Sequence, residues 1–247
     1  MKADPTAQLK LLDLQQLDSR IDTLRHQRAN LPETAELAEL APKRKELEDR
    51  LRDRQVQISD LTEEQRKADR DVEAVKTRKE RDQRMLDSGE IRNPKDAERM
   101  LHELASLDRR ITELEDVELD VMERLEATQR DVGVTETELA GVAGRIDELA
   151  QARAVKDADL DKQIGAVTTE RESEAAGLPE DLIALYTRLR EQKGGIGAAA
   201  LRARECGGCH LTLDAAILRD IAAAAADDLV RCEECGRILV RTAESGL

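Results

Sequence analysis

Apolar residues recur at spacings of three and four through most of this 247-residue chain, and that repeat limits the folds open to it. Leu14, Leu17, Ile21 and Leu24 begin it, and Leu31 follows after an interruption at Arg28. Pro32 then breaks the register, because a proline cannot donate within a helix. A second run takes in Leu37, Leu40, Leu47, Leu51, Ile58, Leu61, Ala68, Val72, Val75 and Leu86, with Arg44, Arg54, Gln65, Lys79 and Asp82 at other seam positions. The pattern stops at Asp87-Ser88-Gly89-Glu90-Ile91-Arg92-Asn93-Pro94, a string of turn residues whose proline suits the first turn of a new helix. The seam resumes from Ala97 and Met100 through Leu104, Leu107, Ile111, Leu114, Val121, Leu125, Val132, Leu139, Val142, Ile146, Leu149 and Leu160 to Val167 in one phase.

Two helical runs of about eighty residues, each roughly 120 Å long at 1.5 Å per residue, are joined by a short turn. Such a turn brings equal arms together at little entropic cost, which favours an antiparallel coiled-coil hairpin within one chain over a parallel homodimer. Composition agrees: there is no Trp or Phe, Tyr186 is the only aromatic residue, and 38% of the chain is charged. Pro42 falls opposite Gly141–Gly144, so a bend or local fraying is expected at that level.

The four cysteines form two pairs, Cys206-Gly207-Gly208-Cys209 and Cys232-Glu233-Glu234-Cys235. Two CxxC knuckles about twenty residues apart provide the four thiolates of a tetrahedral zinc site with no open position, hence one structural Zn2+. Disulfides, a redox dithiol and an iron–sulfur centre are the competing readings. Met1–Gln15 lacks the apolar core of a secretory signal, so a cytoplasmic, reducing setting is expected. The segment also lacks a βαβ context, and the even spacing favours a mononuclear ion. His210 reads as a neighbour of the site.

The expected architecture is mainly α: a hairpin over residues 1–176 with its tip near 87–95, a helical connector with a glycine-rich joint over 177–199, and a small C-terminal zinc ribbon with four cysteine ligands over 200–247. In the connector a short helix from Leu182 to Arg190 follows Gly177-Leu178-Pro179. In the ribbon, strands are expected at Ala200–Arg204 with Leu211–Leu213, and at Leu229-Val230 with Ile238–Val240. Asp214 caps a helix through Ile221 and the alanines beyond.

Lys76, Arg78, Lys79, Arg81 and Arg84, five cations against Glu80 and Asp82, make the most basic segment of a chain with net charge −14. They and Arg92 near the tip, with Arg237 in the ribbon, are the candidate partner-binding residues. Arg202, Arg204, Arg219, Arg231, Arg237 and Arg241 offer a phosphate-contacting surface, opposed by eight acidic residues over 200–247. Net charge argues against a sequence-independent grip on nucleic acid, and the lack of aromatics argues against base stacking. No membrane span, nucleophile–base pair, phosphate loop or open metal site is present, so neither an enzyme nor a small-molecule substrate is expected.

The turn Ile91-Arg92-Asn93-Pro94-Lys95, the connector Leu178-Pro179-x-Asp181-Leu182-x-x-x-Tyr186-x-x-Leu189 and the segment Cys235-Gly236-Arg237-Ile238-Leu239 resemble one bacterial family. These are the C4-type zinc-ribbon, coiled-coil proteins, often described as nucleic-acid-binding zinc ribbons. The resemblance implies bound zinc, a cytoplasmic location and an adaptor or regulatory role, linked in some relatives to transcription or secretion machinery. Val240 stands where the family commonly has an aromatic residue. The expected function is a non-enzymatic adaptor for protein partners, with nucleic acid as a further partner class. The alternative is an RNA polymerase-associated hairpin factor acting through its tip, with Asp87 and Glu90 as the acidic residues.

Overall fold

Asp4 accepts a hydrogen bond from the Thr6 amide at 2.8 Å and starts helix α1, Pro5–Ala29, with proline at its first turn. Asn30 ends it by donating its side-chain amide to the His26 carbonyl at 2.8 Å. Helix α2, Pro32–Asp87, begins at the proline that breaks the sequence register. Helix α3, Pro94–Ala176, follows the expected turn, in which the Asn93 carboxamide oxygen accepts from the Lys95 amide at 3.1 Å. The computed structural model describes residues 1–247 and divides into two units: Glu36–Leu149, and Met1–Ala35 together with Ala150–Leu247. No helix is long and apolar enough to cross a membrane.

The Glu36–Leu149 unit is an antiparallel helical hairpin. Lys76 pairs with Glu115 at 2.6 Å, Arg54 with Asp131 at 3.7 Å, and Arg145 with Glu36 at 2.8 Å, so partners on α3 move back along the chain as those on α2 advance. Leu47, Leu61, Ala68 and Val72 are buried on one arm, and Leu104, Leu107, Ile111, Leu114, Val121 and Val142 on the other. The repeat also passes through polar residues. Thr128 and Thr135 are buried and return their hydroxyls to the carbonyls of Arg124 and Asp131, each at 2.8 Å, so no donor is orphaned. Both helices run unbroken through Pro42 and through Gly141 and Gly144.

The second unit packs α1 against the base of α3, through Ile21, Leu24 and Val167. It then adds helix α4, Glu180–Gln192, strand β1, Ala198–Arg202, strand β2, Glu205–Cys206, helix α5, Ala215–Ala223, and strand β3, Ile238–Val240. The sheet order is β2-β1-β3. β1 runs antiparallel to β2, with Leu201 opposite Cys206, and parallel to β3, with Ala199 opposite Leu239. Alternation splits the sheet between two cores. Ala198, Ile238 and Val240 pack with Leu11, Leu14, Leu182, Tyr186 and Leu189. Ala199, Leu201 and Leu239 pack with Leu213, Leu218, Ile221, Cys206 and Cys232.

Two expectations for the ribbon change. Ala203 and Arg204 take left-handed φ of 45° and 67°, which reverses the chain in two residues and makes β2 the partner of β1. Leu211–Leu213 is left with one bridge, between Thr212 and Glu205. Leu229-Val230 is likewise no strand; the Val230 carbonyl accepts from the Leu239 amide at 3.0 Å, while the Leu229 amide donates to Met1. α5 starts at Asp214 as expected but stops within the alanine run, because Arg241 takes hydrogen bonds to the carbonyls of Ile221, Ala224, Ala225, Ala226 and Asp228. Tertiary hydrogen bonding here overrides the helix propensity of alanine.

Gly141 and Gly144 have nothing within 4 Å of where a side chain would begin. Replacing each with alanine is expected to stabilise the hairpin by up to about 1 kcal/mol, read as a raised urea midpoint; a lowered midpoint contradicts this. Glu118 occupies a half-buried seam position, where burial first and the Asp69 carboxylate second push its pKa up. A raised carboxyl pKa destabilises the fold at neutral pH and relaxes as pH falls through the folded value. Glu118→Gln is therefore expected to raise the melting temperature at pH 7, with the gain shrinking towards the acid side of the carboxylate range.

Candidate metal centre

Both knuckles are the same turn. The His210 amide donates to the Cys206 carbonyl at 2.7 Å, and the Gly236 amide to the Cys232 carbonyl at 2.8 Å. In each, the residue after the second cysteine is left-handed, with φ of 60° at His210 and 75° at Gly236. β2 delivers Cys206 and the approach to β3 delivers Cys235, so the sheet holds the two turns face to face. A side chain at Gly208 would meet Arg237 Cδ at 2.7 Å and Ala199 Cβ at 3.1 Å, so the first knuckle closes only with glycine there.

All four cysteines are free, and their sulfurs lie within 4.8 Å of one another. Cys206 and Cys235 are 3.9 Å apart at sulfur, as are Cys209 and Cys232. A tetrahedron with metal–sulfur bonds of about 2.3 Å has edges of about 3.8 Å, so this quartet matches the size of a zinc tetrathiolate. His210 lies outside the cluster. Burial pushes the Cys206 thiol up to about 12, against the amides of Gly208 and Cys209, and also raises Cys232. Burial acts on Cys235 too and is the largest single influence, but Arg237, Cys232 and Cys209 together outweigh it and hold that thiol down to about 7. Four thiolates at this spacing need a cation among them, and a divalent metal supplies it.

Beneath the ribbon lies a polar cluster that the sequence reading missed. Tyr186, fully buried, donates its hydroxyl to Asp18 Oδ2 at 2.7 Å, with Gln15 Oε1 at 3.2 Å. Gln15 Oε1 also accepts from the Gly197 amide at 2.8 Å, and Gln15 Nε2 donates to the Gly195 carbonyl at 2.8 Å. Asp18, only 3% exposed, accepts from Arg171 Nε at 2.7 Å and has Arg190 Nε at 3.6 Å. The signal was present in the sequence: Gln15 and Asp18 interrupt the buried stripe Leu11, Leu14, Ile21 on α1.

The structure does not gather the candidate cations into one free surface. Arg237 donates Nε to the Ile196 carbonyl at 2.9 Å and Nη2 to that of Lys193 at 2.6 Å, so it fastens the ribbon to the end of α4. Arg241 caps α5 as described, and Arg231 Nε donates to the Gly236 carbonyl at 2.8 Å. The six-arginine surface is thus mostly internal bracing. In the hairpin, Lys76 pairs with Glu115, Arg78 with Glu103 at 2.6 Å, Lys79 with Asp108, and Arg81 with Asp82 at 3.1 Å. Arg84 has Glu80 at 4.0 Å. Arg92 and Glu90 are exposed in the turn, as is Asp87, whose carboxylate accepts from Gln83 at 2.9 Å.

A helical hairpin followed by a closed four-cysteine ribbon defines a class of metal-braced coiled-coil proteins. A family model for the CT398-like coiled coil hairpin domain matches residues 14–194, and one for the C4-type zinc ribbon domain matches residues 206–239. The chain belongs to the CT398-like coiled-coil hairpin family, and its four cysteines form the site of one structural zinc ion. It is 32% identical to the protein Rv2229c of Mycobacterium tuberculosis over 241 residues, 98% of each chain. A solved structure from Mycobacterium smegmatis, 33% identical, superposes with a TM-score of 0.83 over 98% of this chain and 100% of the other. CT398 from Chlamydia trachomatis, 16% identical, shares the fold with a TM-score of 0.69 over 96% and 98% of the two chains.

Removing the metal is expected to unfold the ribbon, because the second core is built on Cys206 and Cys232. Tyr186, with no tryptophan in the chain, reports on this directly: chelation should change its fluorescence while leaving most of the far-ultraviolet helical signal. An unchanged tyrosine signal with zinc fully removed contradicts the coupling. Tyr186→Phe leaves the Asp18 carboxylate short of a buried donor and is expected to cost about 1–3 kcal/mol in chemical denaturation.

Proposed function

We propose that this protein is a non-enzymatic adaptor whose zinc-braced head and helical hairpin present surfaces to protein partners in the cytoplasm. The observation that carries this reading is closure of the metal centre. Four sulfurs converge on one point, which leaves a bound zinc no position for water or substrate. What remains for other molecules is surface.

Protein partners fit that surface better than nucleic acid. The cations of both units that stood out in the sequence are largely engaged with carboxylates or backbone carbonyls of the same chain. The net charge is −14, and Tyr186, the only residue among Phe, Tyr and Trp, is buried. Thiolates kept for a metal suit a reducing compartment, which supports the cytoplasmic setting.

The test is photo-crosslinking in native cytoplasm, with probes placed in the ribbon and in the hairpin, alongside anisotropy titrations with RNA and DNA at low salt. Discrete protein adducts from one or both units, with weak nucleic-acid binding, are the expected result. Tight nucleic-acid binding with a steep salt dependence and no protein adduct would overturn the proposal.

A further inference from the structure

Near the hairpin tip a groove of about 490 Å³ runs between α2 and α3, lined by Lys76, Lys79, Glu80, Gln83, Arg84, Asp108 and Ile111. Buried Ile111 forms an apolar floor, and the walls are the aliphatic stems of long side chains. Leu101 lies on the same flank of α3, two turns before Asp108, and is 56% exposed. An apolar floor, an exposed leucine beyond it and a cationic wall suit the ridge of another helix.

We propose that this groove seats an acidic amphipathic helix of a protein partner. The inference rests on the adaptor reading and names the surface and the chemistry of one partner. The groove's own lining carries Lys76, Lys79 and Arg84 against Glu80 and Asp108, a small positive excess in a chain of net charge −14. Lys76–Glu115 and Lys79–Asp108 are exposed pairs, worth little in water, so an incoming carboxylate exchanges for the internal one at small cost. Arg84 donates Nε to the Glu80 carbonyl at 3.2 Å, but its side chain is 74% exposed and the nearest carboxylate, that of Glu80, lies 4.0 Å away. A phosphate backbone fits less well, because it has no apolar face to set against Ile111 and Leu101. Ile111 and Leu101 are ten residues apart, about 15 Å along a helix, so the partner needs apolar residues over roughly three turns with Asp or Glu beside them.

The probe is a fluorescein-labelled synthetic helix with leucines at i, i+3, i+7 and i+10 and glutamates on its flanks, titrated into the full chain by anisotropy. Saturable binding is expected, weakened about tenfold by Leu101→Asp and by Lys79→Glu with Arg84→Glu, and absent for the same peptide with lysines in place of glutamates. Leu101 is exposed, so a melting curve equal to that of the unaltered chain verifies that its variant is folded. No saturable binding at millimolar peptide, equal binding by the Leu101→Asp variant, or a single-stranded oligonucleotide that binds better and is displaced by the same substitutions would each overturn the proposal. If the groove variants still form protein crosslinks in cytoplasm, the groove fails and the adaptor reading stands.

Discussion

A carboxylate held away from water decides how the head of this protein is assembled. Asp18 sits on α1, far in sequence from everything it touches: Arg171 on α3, and Tyr186 and Arg190 on α4. A buried carboxylate left alone would be costly, and losing one partner would leave an unbalanced charge. Asp18 therefore tolerates only an arrangement in which α3 returns beside α1 and α4 folds across both. Gln15, one turn earlier, adds the backbone at Gly195 and Gly197 and so fixes where β1 begins. At Gly197 the chain passes so close to Tyr186 that a side chain would lie 2.6 Å from its carbonyl oxygen. The connector glycine that reads in sequence as a flexible joint is a point of tight packing.

The seam and the metal ligands were legible because each is a repeat with one physical meaning. A three-four spacing places residues on one helix face, and two CxxC pairs place four sulfurs at one point. The polar members of the seam were harder to read. Glu118, Thr128 and Thr135 stand where the repeat calls for apolar residues, and only the folded helix shows that the threonines satisfy themselves on carbonyls one turn earlier. The ribbon strands were misplaced for a different reason. Their pairing depends on left-handed φ at Ala203 and Arg204, which neither residue type advertises.

Charge was the least legible property of all. A run such as Lys76 to Arg84 looks basic when read along one helix, but acids of α3 that lie 25 to 39 residues further on neutralise Lys76, Arg78 and Lys79. The arginines of the ribbon look like a phosphate surface for the same reason: linear proximity does not reveal that Arg237 and Arg241 point at backbone carbonyls.

Those two arginines explain how a head so poor in hydrophobic volume holds a single shape. Arg241 collects the unpaired carbonyls where α5 ends, and Arg237 does the same beyond α4, so irregular backbone is satisfied without further secondary structure. Arg237 has a second consequence. Arg237 also helps to lower the Cys235 thiol, which it follows by two residues. A zinc bound by four thiolates carries a net charge of −2, and a fixed guanidinium beside it offsets part of that charge. The residue that balances the metal is thus the one that grips the end of α4, and α4 carries the tyrosine bound to Asp18. Metal site, sheet and helical base form one continuous set of contacts that ends on the first helix of the chain.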